Sequence, residues 1–377
     1  MTGIALSQWL HSVVIGLVAT FLVLLLTYPL RHYPRLQTIG LSCLTVILGM
    51  TLGARQRLMP IATEETRIVR LASYWRGQLL DNYREWGISD EAYGVVAAMT
   101  LGDKSELDRD LKETYSKVGA AHILALSGLH LSIIYAIISL FIGWRRIRIL
   151  SQSFIIVAIW AYALLTGMSP SVTRAALMIS IYGLLSLGYR ERMSVNTLAF
   201  TAIVMLLVNP MSLYNIGFQL SFMAVLAILL FNPLFNRLIP QRVLLRYRSV
   251  RLLWGMTTVS VSAQLGTAPL VAYYFGRFST WFLLSNYLVI PLATVILYLT
   301  VFCVATFWWT ALQQWVVAAL SAVVAFMNHG LEALSRLPYS SIEHIRFSVL
   351  HVALIYIIIG SIYLMLSLRF PKARRIY

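Results

Sequence analysis

The sequence predicts an all-α fold: a polytopic integral membrane bundle of about ten to eleven transmembrane helices with one short extracytoplasmic helical segment. Three observations predict it. Hydrophobic residues make up 59% of the 377 positions and charged residues only 12%, and the mean hydropathy is +0.77, a composition foreign to a soluble domain of this length. Apolar runs long enough to cross a bilayer recur along the chain. Basic residues gather in alternate short loops, the pattern that positive-inside topology produces.

The apolar runs fall near 12–30, 36–54, 118–142, 150–166, 171–189, 194–208, 212–232, 250–275, 281–307, 310–335 and 347–368. The first is expected to stay as a helix, because no Lys or Arg precedes it and no small-residue cleavage site follows. It pairs with the second as an N-terminal helix pair over 1–54. Cys43 and Cys303 each fall within a predicted span, where a buried thiol is the ordinary reading and a disulfide framework has no support.

The net charge of +16 matters less than where the charges lie. Eleven of the fourteen acids, with ten basic residues, sit in 55–117. The other basic residues cluster at Arg31 and Arg35, at Arg145 to Arg148, at Arg190 and Arg192, at Arg237 to Arg251, and in the tail over 369–377. Those loops are expected inside and the 55–117 segment outside. The excess charge therefore reads as topology and contact with anionic lipid before it reads as a nucleic-acid groove.

Within 55–117, Thr63 is expected to open a helix that Tyr74, Trp75, Tyr83 and Trp86 anchor at the membrane interface. Ser89 and Ser105 are expected to cap two more helices. Gly102-Asp103-Lys104-Ser105 lacks the spaced glycine and Gly-Lys pair of a phosphate-binding loop and reads as a turn between them.

The main membrane domain, 118–368, carries the polar residues that draw functional interest. His122, Ser127, Gly128 and His130 lie inside the 118–142 run, where ionisable groups are costly unless they face a bundle interior or a water-lined cavity. Ser127-Gly128 offers a place to bend or break that helix. Arg174 follows a tight turn by about one helical turn and reads either as an interfacial anchor or as a buried charge facing a polar path. Thr257, Ser260, Gln264 and Thr267 align on one helix face, and Asn215 and Gln219 form a shorter stripe; such stripes serve as interhelical glue or line a channel. Asn286 precedes Pro291, whose missing N–H predicts a helix break. The seven histidines are scattered, and His122 and His130 lack the carboxylates or cysteines of a zinc site, so no metal and no cofactor is expected.

The stretch His122-Ile123-Leu124-Ala125-Leu126-Ser127-Gly128-Leu129-His130 resembles the ComEC-type competence proteins, whose pattern His-Leu-Leu-Ala-Ile-Ser-Gly-Leu-His it departs from only at Ile123 and Leu126. Ala97 and Gly102-Asp103-Lys104 upstream fall in the family's order. So do Trp160, Tyr162, Leu165-Thr166-Gly167, Pro170-Ser171, Arg174-Ala175, Asn209-Pro210, Gly217 to Phe222, Gln264, Pro269, Asn286 and Pro291 downstream. The resemblance covers about 90–350. It implies an inner-membrane channel that takes up single-stranded DNA during natural transformation, with His122, Ser127, Gly128, His130, Arg174, Gln219, Gln264 and Asn286 as path or motif residues. Longer relatives also carry an OB-like and a metallo-β-lactamase-like domain, for which no residues are found here. Partners expected with the DNA and the lipid are therefore a separate receptor, nuclease and motor, and further copies of the chain.

Two other classes stay open at this point. A secondary transporter for a smaller solute would also show broken helices and midplane polar groups. An intramembrane enzyme could use Ser127 as nucleophile and His130 as base, although no third, orienting acid is near in sequence. The expectation is a channel and not an enzyme.

Overall fold

The computed structural model describes residues 13–27, 34–58, 66–141, 148–187 and 195–369. Fifteen α-helices account for nearly all of them. Four are long and apolar enough to cross a membrane: Ile216–Phe235, Phe282–Ala305, Thr310–Ser335 and Val349–Arg369; four shorter apolar helices join them. The chain is a helical membrane protein.

The described residues fall into two compact units, Met1–Glu65 with Ala199–Gln219, and Thr66–Leu198 with Leu220–Tyr377. In the first unit α1 (Val13–Thr27) and α2 (Pro34–Leu58) pack along each other as the expected pair. A single 3-10 turn, Pro210–Tyr214, rests on α2. Asn215 closes that turn, and its Oδ1 accepts the Phe218 N–H at 3.1 Å. Cys43, placed in a buried setting by the sequence, is exposed.

The second unit begins with α3 (Arg67–Glu85), α4 (Asp90–Leu101) and α5 (Arg109–Lys117). Thr63 and its neighbours lie outside the described residues, and Thr66 stands at the start of α3. Tyr74 and Trp75 are exposed, as interface anchors should be, whereas Tyr83 is 2% exposed and belongs to the core. Asp108, not Ser105, precedes α5. The larger surprise is α4, which the sequence suggested would lie at the surface: every residue from Ala92 to Leu101 is buried. Its small side chains explain the fit, since a Cβ on Gly94 would come within 2.8 Å of the Glu106 carbonyl oxygen.

Next come α6 (Gly128–Phe141), α7 (Arg148–Leu165), α8 (Pro170–Leu187), α9 (Val195–Val208), α10 (Ile216–Phe235) and α11 (Gln241–Arg246). They are followed by α12 (Arg248–Phe275), α13 (Phe282–Ala305), α14 (Thr310–Ser335) and α15 (Val349–Arg369). Pairing of Phe278 with Ile342 and of Ser279 with Ser341 forms the sole strand ladder among the described residues. The main core gathers α4, α5, α13 and α14 around Val95, Met99, Tyr115, Ile296, Leu320 and Met327. A second cluster joins Leu126 and Leu131 to Ile155, Ile159, Val172 and Ala176.

Two expected breaks take other forms. Pro291 lies inside α13, which continues through it, because a proline removes one intrahelical bond that the packed neighbours can outweigh. Residues 118–127 form turns, and helix begins only at Gly128. Those turns are apolar because Val118, Ala120, Ile123 and Leu124 are buried in protein, not because they meet lipid.

Candidate functional site

The site grows from the way α6 starts. Ser127 stands just before the helix, and its backbone N–H donates to His130 Nδ1 at 3.3 Å while its Oγ lies 2.9 Å from the same nitrogen. This is the back-reaching half of a capping box, in which the side chain at the third helical position accepts the N–H of the residue before the helix, with histidine where Glu or Gln is usual. Because Nδ1 accepts the backbone N–H, the imidazole proton sits on Nε2. His130 is fully buried, and Nε2 has no hydrogen-bond partner.

The start of α8 meets the start of α6. The Ser171 hydroxyl donates to the Leu126 carbonyl. A Cβ on Gly128 would touch Ala175 Cβ at an ordinary 3.7 Å, so that glycine leaves room for a small side chain. It marks the first helical residue and not a bend within a longer helix. Arg174 lies one turn into α8 and is 3% exposed. Its Nε is buried without a partner, and no ion pair reaches it among the described residues. An uncompensated guanidinium taken out of water costs on the order of several kcal/mol. Here it also sits near two helix N-termini, whose partial positive charge disfavours a cation.

Around this pair, Tyr162 donates its hydroxyl to the Thr100 carbonyl at 2.6 Å and ties α7 to the end of α4. Gly102 ends α4 at φ 71°, and a Cβ there would lie 2.7 Å from Leu126 Cδ1. A turn residue thus supports the motif from below. Burial raises the Asp103 carboxyl, but hydrogen bonds from Ser105 and the charges of Arg76 and Arg84 outweigh it and hold the group below its ordinary range. The expected turn at Gly102 to Ser105 is therefore present, with the Ser105 N–H on Asp103 Oδ1 at 3.0 Å.

Gln219, Gln264 and Asn286 are not gathered here, whereas His122 lies close to His130. His122 is exposed on the turn before the motif, its Nδ1 3.0 Å from the Gly119 carbonyl. Gln264 borders a cleft of otherwise apolar character, with Phe278, Phe282 and Ile355 among its walls. In its stripe the Thr257 hydroxyl meets Tyr287 on α13, while Thr267 bonds back to the Ala263 carbonyl of its own helix at 3.0 Å. Gln219, in the other unit, gives its Nε2 to the Leu213 carbonyl at 2.9 Å. Asn286 is half-buried on α13, its Oδ1 without a partner.

The serine–histidine pair has a twin. At the start of α15, Ser348 N–H donates to His351 Nδ1 at 3.2 Å and Ser348 Oγ lies 2.7 Å from it. The sequence reading passed over Ser348 and His351, although their i, i+3 spacing before an apolar run was a usable signal. Among the described residues no group of three or more His, Cys, Asp or Glu side chains could hold a metal ion.

A family model described as Competence protein matches residues 99–369. The chain is 34% identical over 209 residues to ComE operon protein 3 of Bacillus subtilis, covering 54% of this chain and 25% of the relative. It is 27% identical over 173 residues to Competence protein ComA of Neisseria gonorrhoeae, covering 41% of this chain and 24% of the relative. An uncharacterised protein of Aquifex aeolicus is 29% identical over 201 residues, covering 53% of this chain and 45% of the relative. The chain thus spans less than half the length of each. No solved structure matches it.

Proposed function

The chain belongs to the Competence protein family, and we propose that it serves in competence as the inner-membrane channel that passes single-stranded DNA inward during natural transformation. What supports this reading is two buried groups at the touching starts of α8 and α6: Arg174, whose Nε has no hydrogen-bond partner, and His130, whose Nε2–H has none. Each nucleotide brings one phosphate, and a low-dielectric slab repels it unless fixed positive groups replace its water. A guanidinium forks onto phosphate oxygens, and a neutral imidazole N–H adds a donor without a titration step. The missing partner of Arg174 is then the passing strand. His122, Gly128 and Ser127 shape the approach to this point. Gln264 on α12 and Asn286 on α13 are further polar residues of the proposed path.

The channel is proposed to do no chemistry of its own. The Ser127–His130 contact recurs at Ser348–His351 as a helix start, which supports a capping role over a nucleophile and base. Strand degradation, strand pulling and initial capture fall to separate nuclease, motor and receptor proteins.

The proposed topology puts the amino terminus and residues 55–117 outside and the tail inside. One helix supports it. The 28 residues of α12 start at the basic group Arg248 and Arg251 and end at Phe275, and just beyond that end the Arg277 Nη1 donates to Ser116 of α5 at 3.1 Å. At 1.5 Å per residue such a helix is long enough to cross a bilayer core of about 30 Å, which favours α5 on the face opposite the basic loop. A cytoplasm-only reporter fused near Tyr83 is expected to be silent and the same reporter at Tyr377 active; the reverse would refute the orientation. For function, deletion of the gene should abolish inward passage of labelled single strands while leaving surface capture, and the intact gene should restore it. Undiminished passage in the deletion strain would end the proposal.

A further inference from the structure

Helix α5 divides the surface it occupies by charge. Arg109, Lys112, Glu113 and Ser116, at i, i+3, i+4 and i+7, face one cleft, which Phe275 and Arg277 complete from the end of α12. Asp110 and Thr114 face a second cleft on the other side, together with Asp90, Glu91, Glu106 and Glu332. The first is open, about 440 Å³. Its three cations outnumber its one carboxylate, Glu113, and none is in an ion pair: the two ion pairs among the described residues lie elsewhere, at Arg84–Glu106 and Arg336–Glu332. Arg277 is held by Ser116, and Lys112 Nζ donates to the Lys104 carbonyl at 3.2 Å, so two of the positive heads are positioned. Phe275 is 55% exposed beside them.

We propose that the cleft formed by Arg109, Lys112, Arg277 and Phe275 is a landing site for single-stranded DNA. It rests on the channel reading above and names where the strand first meets the chain. Three cations in one concavity suit successive phosphates, and an exposed aromatic ring suits a base that is free to unstack. A duplex hides its bases and gains nothing from Phe275. The carboxylates across α5 repel the same polyanion, so a strand that lands is confined to one side of the helix. A membrane surface fits less well, because the carboxylates of the acidic cleft across α5 would also press against anionic headgroups.

The test uses the full chain in nanodiscs of zwitterionic lipid and a fluorescein-labelled thirty-nucleotide oligothymidylate, read by anisotropy across a salt series. Arg109→Glu with Lys112→Glu, both at exposed positions, should weaken binding at least about tenfold and flatten the salt dependence by about 0.7 per cation removed. Phe275→Ala should weaken the oligothymidylate and leave duplex binding unchanged, and Arg248→Glu at the far end of α12 should do neither. Equal affinity and salt slope in the double variant would overturn the proposal. So would an unchanged oligothymidylate affinity accompanied by loss of co-purified anionic lipid, which would assign the cleft to the membrane. If the cleft variants lose binding while Arg174→Ala transforms normally, the landing site stands and the path through Arg174 falls. Normal binding and uptake in the cleft variants, with uptake lost in Arg174→Ala, sinks the landing site alone.

Discussion

The starts of α6 and α15 use the same device and arrive at different chemistry. Ser127 with His130 and Ser348 with His351 each place the serine N–H and hydroxyl on histidine Nδ1, at 3.3 and 2.9 Å in one and 3.2 and 2.7 Å in the other. His351 is exposed, with its ring stacked on Phe347 at 5.9 Å. His130 is buried, and its Nε2–H has no hydrogen-bond partner. The local sequence fixes the cap and the tautomer in both places. Only the surroundings turn the spare N–H of one into a donor that awaits an acceptor.

Substituting the two histidines identically separates these contributions. Asn in place of His retains an acceptor near the Nδ1 position but lacks the distal N–H. His130→Asn should leave membrane abundance intact and lower DNA uptake on the order of tenfold or more, the scale of one hydrogen bond to a charged group. His351→Asn should change neither. Equal losses in both would mean that the cap alone matters.

Gly102→Ala should act on the same region through the fold. A left-handed residue with a Cβ costs about 1–2 kcal/mol, and the clash with Leu126 adds to it. Lower thermal stability of the purified chain with uptake falling in proportion to abundance is expected. Full stability would show that the turn relaxes away from the motif.

Smaller effects follow at the caps and at the helix start. Ser127→Ala and Ser348→Ala should each cost about 1 kcal/mol, measured as similar shifts in thermal unfolding. A serine nucleophile at position 127 would instead give a large loss of activity without a matching stability change. Gly128→Ala should be nearly silent, since the added methyl only reaches van der Waals contact with Ala175. A loss of uptake there at normal abundance would show that backbone closeness at α6 serves the path.

How much of this was legible in the sequence depends on what buries each segment. The last span can be read almost to the residue from hydropathy, because little protein covers it: α15 buries only Val352. Residues 118–127 and α4 resist that reading for the opposite reason. Protein surrounds them, so an apolar turn run looks like a span, and an apolar helix inside a charged segment looks like surface. The ten residues Ala92 to Leu101, free of charge, were the available signal for α4. The Ser127–His130 contact was legible from spacing, but its role was not, since only the twin at Ser348–His351 identifies it as a cap. Arg174 could be placed one turn into a helix, whereas its depth depends on Val172, Ala175 and Ala176 packing on α6 and α7, which no local pattern encodes. The basic face of α5 was readable at i and i+3 in Arg109 and Lys112, yet its completion by Arg277 joins positions far apart in the chain.

The central claim is that Arg174 is held buried and unpaired for a passing phosphate. Transformation frequency of Arg174→Ala, Arg174→Lys and Arg251→Ala, compared at equal membrane abundance, tests it most directly. The account predicts near-background transformation for Arg174→Ala, partial activity for Arg174→Lys because a point charge replaces a fork, and wild-type behaviour for Arg251→Ala on the exposed basic helix start. Wild-type transformation by Arg174→Ala would contradict it.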